Sequence, residues 1–186
     1  MIVVSADLPP NAAALVFASV PATEAGSLKL REHLLDTWVG VTDAGGSVGF
    51  TAPADKAAVA TALDAALQRV AVGYDVLGIL RSADTAVGMG LLVDRGSVMV
   101  RHWRTVLRVM VRPELQGVGA GRVLIEGLHQ MARTLRLEHL QLTVRGGTGL
   151  ESFYERFGYV VVGRHPGAVR VAPGDDRDEV MMVARL

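Results

Sequence analysis

The chain has no cysteine among its 186 residues. That excludes a disulfide framework, thiolate metal ligands and a cysteine nucleophile, and with the last any covalent acyl-cysteine intermediate. It also lacks an excess of charge: 19 basic side chains balance 19 acidic ones. No global field therefore draws it to nucleic acid or to an anionic membrane surface. Nowhere does it reach the ~18 consecutive apolar residues of a membrane-spanning helix. The N-terminal M-I-V-V-S-A-D-L-P-P has no basic residue before Lys29 and is interrupted by Asp7, Pro9 and Pro10, which argues against a signal peptide. The expectation is a cytoplasmic protein forming a single domain over 1–186 and requiring no metal. Such a chain can bury about two thirds of the surface its unfolded form exposes.

What is present is concentrated in residues 106–122, V-L-R-V-M-V-R-P-E-L-Q-G-V-G-A-G-R. A β-type run breaks at Pro113 into a glycine-rich turn that opens an amphipathic helix. Helix N-termini carry unpaired N–H groups and a partial positive charge, so this turn is suited to hold a diphosphate. Gly117, Gly119 and Gly121 remove side chains there and let the backbone approach an anion closely. Two familiar phosphate loops do not fit. A Walker A loop needs Lys and then Ser or Thr after its last glycine, where this chain has Arg122 and Val123. The dinucleotide fingerprint G-x-G-x-x-G would put its third glycine at Arg122.

Around this turn the pattern alternates between helix and strand. Residues 2–6 read as a strand and 28–39 as a helix capped by Ser27. A helix over 53–72 carries Val59, Leu63, Leu67 and Val70 at helical spacing. Strands at 76–80, 86–93 and 97–111 are separated by turn compositions and imply an antiparallel meander. A helix at 117–135 then leads to a strand at 137–144, a β-loop-α-β unit. Thr148 and Glu151 are placed for a capping box before a short helix facing inward with Leu150, Phe153, Tyr154 and Phe157. Strands at 159–163 and 179–185 flank a turn-rich segment.

The pattern Q-x-x-G-x-G at Gln116, Gly119 and Gly121, directly after a strand end at Val109, Val111 and Pro113, resembles the acyl-CoA pyrophosphate loop of the GNAT superfamily of N-acyltransferases. F-Y-E-R-F-G-Y at 153–159 strengthens the likeness, since it is similar to that family's Y-x-x-x-G-[FY] segment, with Tyr154, Gly158 and Tyr159 in the matching places. The resemblance covers about residues 76–163. It implies a single α/β (α+β) domain with a mixed, mainly antiparallel sheet, a central V-shaped splay and flanking helices. It also implies acetyl-CoA as cosubstrate and a primary amine as acceptor, a small molecule or a peptide.

By the same resemblance, the backbone of Val109, Met110 and Val111 receives the pantetheine arm and supplies oxyanion donors. Gln116, Gly117, Val118, Gly119, Ala120, Gly121 and Arg122 form the diphosphate loop. Tyr154 is the general acid for the departing thiolate. Some members place a glutamate base eleven residues before the Gln116 position. Here that residue is Thr105, and the nearest titratable group is His102, a residue type commonly used as a general base. The residue seven before Tyr154, an asparagine in many members, is Gly147, with Thr148 beside it as a substitute. The cluster Arg101 to Arg104, the 43–50 loop and the 164–178 segment are expected to shape the acceptor pocket. Thr105 also leaves room for a CoA-binding sensor with little catalysis, and a donor other than acetyl-CoA stays open.

Overall fold

In a computed structural model, which describes residues 15–46 and 48–186, seven strands form one sheet in the order β1-β2-β3-β4-β5-β7-β6. The strands are β1 (Leu15–Val20), β2 (Val76–Ser82), β3 (Thr85–Val93), β4 (Trp103–Val111), β5 (His139–Arg145), β6 (Val160–Ala172) and β7 (Asp175–Arg185). Every neighbouring pair is antiparallel except β4 and β5, which run parallel. This is the mixed, mainly antiparallel α/β sheet expected, with β2, β3 and β4 as the meander.

Helices α1 (Leu28–Asp43) and α2 (Lys56–Ala71) cover one face. Their starts are set by side chains. Ser27 Oγ accepts the Leu30 N–H at 3.3 Å, and Asp55 Oδ1 accepts those of Ala57 and Ala58 at 2.9 and 3.1 Å. Each cap satisfies N–H groups that a helix cannot satisfy internally. Helix α3 (Ala120–Thr134) covers the other face with Val123, Leu124, Leu128 and Met131, and the short α4 (Leu150–Glu155) packs beside it. The sheet is thus buried on both sides, and β3 is a continuous buried apolar run. Contact between α3 and the sheet is close: a Cβ on Gly127 of α3 would overlap the buried Phe17 ring of β1.

Several boundaries differ from expectation for identifiable reasons. The strand expected at 2–6 lies outside the described residues; the first observed strand is β1. Helix α1 runs four residues beyond the expected end, because Val41 and Thr42 are still buried against the core. Residues 97–102 are not strand: Ser97 Oγ accepts the Met99 N–H at 3.3 Å and starts a single 3-10 turn, Val98–Val100. The capping box does not form. Thr148 Oγ1 instead donates to Arg145 O at 2.7 Å, Glu151 pairs with Arg164 at 2.6 Å, and Gly149 occupies the N-cap. The turn-rich 164–178 segment is mostly the continuation of β6 and β7 into a long exposed hairpin. Register shifts in β6 absorb its Pro-Gly residues, and the pair Arg170–Asp176 lies across it at 2.7 Å.

Candidate active site

Strands β4 and β5 are paired at only three rungs, Trp103 with His139, Arg104 with Leu140 and Thr105 with Gln141. Beyond Thr105, β4 stays with β3 while β5 stays with β7, so the two diverge. Thr105 Oγ1 donates to Gln141 Oε1 at 3.1 Å and closes the apex of the V. Thr105, at the position where the resemblance would put a base, is therefore a structural tie at the apex.

The divergence has a local cause in β4. Leu107 pairs with Leu91 and Met110 with Met89, so Arg108 and Val109 together face Gly90, which makes a β-bulge. Bulges bend a strand and sharpen its twist. Arg108 sits within it at φ +55°, in the left-handed region that non-glycine residues seldom occupy.

The V opens into a cleft of about 990 Å³. Residues 106–111 of β4 form one wall, and Leu142, Thr143 and Val144 of β5 the other. Val41, Gly46 and Val48 cover one side, while Leu150, Phe153, Tyr154 and Phe157 close the opposite one. The glycine-rich turn forms the far end. There Gly117 and Gly119 have φ of +79° and +88°. Gly119 is the N-cap of α3 with no side-chain cap, and the first helical bonds run from Arg122 N and Val123 N to Gly119 O. The N–H groups of Ala120 and Gly121 therefore have no partner within the helix. A Cβ at Gly117 or Gly119 would meet nothing within 4 Å. Glycine is thus required by the backbone conformation and by approach from outside rather than by internal packing. Such a turn suits a diphosphate.

Of the ten residues expected to hold cofactor, Val109, Met110, Val111, Gln116, Gly117, Gly119, Gly121 and Arg122 line the cleft. Val118 projects outward, 37% exposed, and Ala120 is fully buried in the core, so neither side chain faces it. Met110 packs towards α1 and α2, leaving its backbone for the cleft. The Gln116 side chain is engaged internally, where its Nε2 donates to Val111 O at 3.1 Å and ties the turn to the end of β4.

Tyr154 lines the cleft and is 7% exposed. Its ring meets Phe153 and Tyr159 edge to face at 5.1 and 5.4 Å. Burial pushes its phenol well above the ordinary tyrosine range, because the surroundings penalise the phenolate. Tyr159 is shifted the same way by burial, then by Tyr154; its Oη is 3.3 Å from Nε2 of the buried His129. Burial lowers the His129 pKa to about 4, assisted by Arg133 and opposed by Glu126.

The structure does not bring His102 to this cleft. It precedes β4, at the paired end of the V, and its ring meets that of His139 at 5.8 Å. Six residues of strand, at ~3.3 Å each, put it about 20 Å from the bulge. The rest of its cluster is occupied elsewhere: Arg95 lies over Trp103 at 5.4 Å and Arg104 pairs with Asp94 at 2.7 Å. The 164–178 hairpin and Thr148 also fall outside the lining residues, whereas the 43–50 loop does contribute.

Two residues of the site, Arg108 and Trp38, are singled out by neither motif nor spacing. Trp38 is buried and its Nε1 donates to Val48 O at 3.0 Å, fixing the loop above the cleft. Arg108 spreads over the Trp38 ring at 5.1 Å. A signal was present: Arg108 is the one charge inside the apolar run V-L-R-V-M-V, where a core strand should carry none.

The family model for the acetyltransferase (GNAT) domain matches residues 47–168. Solved structures share the fold. An acetyltransferase of the GNAT family from Streptococcus pneumoniae is 15% identical with a TM-score of 0.71, over 92% of this chain and 99% of that one. The ribosomal-protein-alanine N-acetyltransferase of Brucella melitensis is 17% identical at 0.70, over 92% and 99%. The yncA protein of Salmonella typhimurium, solved with its cofactor acetyl-CoA, is 15% identical at 0.70, over 92% and 94%. With the splayed sheet, the bulge and the glycine-rich helix start in one cleft, and the domain match spanning most of the chain, this protein belongs to the GNAT family of acyl-CoA-dependent acetyltransferases.

Proposed function

We propose that this chain transfers an acetyl group from acetyl-CoA to a primary amine by direct attack within a ternary complex. The observation that carries the reading is the cleft itself, which opens beyond the apex closed by Thr105 and Gln141 and is lined by both Tyr154 and the glycine-rich turn at the N-terminus of α3. The turn at 116–121 takes the diphosphate on backbone N–H groups, with Arg122 beside it. The pantetheine arm lies along 109–111 as a pseudo-strand, since β4 has lost β5 as a partner there. Both reactants are then held in one cleft, which removes the entropy cost of their encounter from the chemical step.

The amine nitrogen attacks the thioester carbonyl, the oxyanion is met by backbone N–H groups of the bulged strand, and the C–S bond breaks. One proton leaves nitrogen and one must reach sulfur. Tyr154 supplies the second: its phenol lines the cleft and, protonated through the neutral range as phenols are, donates as charge develops on the thiolate. Glu126, the one carboxylate lining the cleft among the described residues, is paired with Arg122 at 2.7 Å at the diphosphate end. The amine accordingly loses its proton to water, no titratable side chain among the described residues being placed to act as its single base.

Calorimetric titration with acetyl-CoA, desulfo-CoA and ATP tests the reading. Both CoA species should bind and ATP should not, and amine-dependent thiol release should follow. Failure to bind either CoA species removes the proposal.

A further inference from the structure

Among the described residues, Arg108 is a cation without a carboxylate. Burial alone lowers its pKa, with no acidic group acting on it among the described residues. Its guanidinium rests on Trp38, which is itself pinned by its bond to Val48 O. Directly above lies Gly49, at φ +97°, where a Cβ would come within 2.7 Å of the Arg108 guanidinium carbon. The bulge, the indole and the missing side chain at 49 thus fix one position for the charge. That position lines the cleft on the side of α1 and the 43–50 loop, opposite the side where Phe153 and Tyr154 approach the diphosphate turn. Holding an unpaired, half-buried guanidinium on a strained strand residue works against folding. The arrangement makes sense if an anion completes it.

The balance of charge in the cleft points the same way. Its lining holds Arg108, Arg122 and Arg156 against Glu126. Arg122 is paired with Glu126, and Arg156 lies over Phe153 at 5.5 Å, near the helix start. Among the described lining residues, only Arg108 places a charge on the acceptor side. Arg145 Nη2 donates to Gly45 O at 3.2 Å and ties the covering loop, whose Gly46 and Val48 line that side, to the end of β5.

Building on the acyl-transfer reading, we infer that the acceptor is a small amine that also carries an oxyanion, a carboxylate in the first instance, and that Arg108 binds this group and thereby aims the amine at the thioester. A planar guanidinium matches a carboxylate with two parallel hydrogen bonds, which sets orientation as well as affinity. The same anion neutralises the half-buried charge.

The test uses the full chain, acetyl-CoA and a thiol-release assay on matched pairs, each α-amino acid against its carboxamide. For accepted side chains, the carboxylate member should exceed the amide in kcat/KM by at least about tenfold. Arg108→Gln should lower kcat/KM for the carboxylate by roughly a hundredfold, mainly through KM, and lower it at least about tenfold less for the amide. Arg108→Lys should fall between, keeping the charge without the fork. Equal turnover of both members overturns the inference, and so does an equal loss on both in Arg108→Gln, which would mark a purely structural role. Acetyl-CoA titration separates this failure from that of the underlying reading. Wild type that binds acetyl-CoA but acetylates no anionic amine refutes the acceptor class alone, whereas no acetyl-CoA binding refutes both.

Discussion

Replacing Gly119 by Glu and, in parallel, by Gln separates charge from shape at the helix start. Both side chains enter open space, since a Cβ there meets nothing within 4 Å, and both must adopt the φ of +88°. Each variant should therefore lose about 1–2 kcal/mol of stability to the left-handed backbone, equally. They differ by one negative charge. At ~6 Å from a diphosphate bearing about two charges, and an effective dielectric of ~40, Coulomb's law gives about 2.8 kcal/mol of repulsion. Screening by physiological salt roughly halves this, so desulfo-CoA should bind Gly119→Glu between about tenfold and a hundredfold more weakly than Gly119→Gln. Calorimetry at ~50 mM and ~500 mM salt reads both the difference and its decline with screening. Equal affinities in two variants of equal melting temperature would refute the placement of the diphosphate at α3.

Tyr154→Phe keeps the ring packing against Phe153 and Tyr159 and removes only the hydroxyl. The rate constant for acetyl transfer should fall by about 10²–10⁴ with CoA affinity little changed, and an unaltered rate in steady-state assay would dismiss Tyr154 as the acid. Gly127→Ala should be destabilising, by about 1–3 kcal/mol in urea denaturation, because overlap with the Phe17 ring outweighs the ~1 kcal/mol that alanine gains in a helix. A more stable variant would show that α3 does not approach β1 as described. His129 is held at a pKa of about 4 when folded, by burial first and Arg133 second, against ~6.5 unfolded. The unfolded chain binds the proton first, so the stability set by this group is full above pH ~6.5 and declines towards pH ~4, by on the order of 3 kcal/mol. His129→Gln should flatten that decline in denaturation midpoints between pH 7 and 4.5, and an unchanged slope would place the proton elsewhere.

Much of this protein was legible in its sequence because the decisive features are local. The helical spacing of Val59, Leu63, Leu67 and Val70, the cap at Ser27 and the glycine-rich break after Pro113 depend on residues a few positions apart, and each formed as expected. The two spaced motifs and the family domain agree for the same reason. Their chemistry is carried by a backbone turn and one helix face.

What the tertiary structure alone decided lies where distant segments meet. Thr148 and Glu151 fit a capping box by spacing, yet Arg145 O and Arg164 compete successfully for their side chains. His102 lies close to the cleft along the chain, but parallel pairing to β5 puts it at the closed end of the V. Arg108 is the converse. Its neighbours Trp38 and Gly49 are some sixty to seventy positions away in sequence, and its exceptional backbone exists because β3 offers Gly90 against two residues of β4. Local propensity depends on neighbours along the chain, whereas the environment of a charge depends on whatever the fold packs around it.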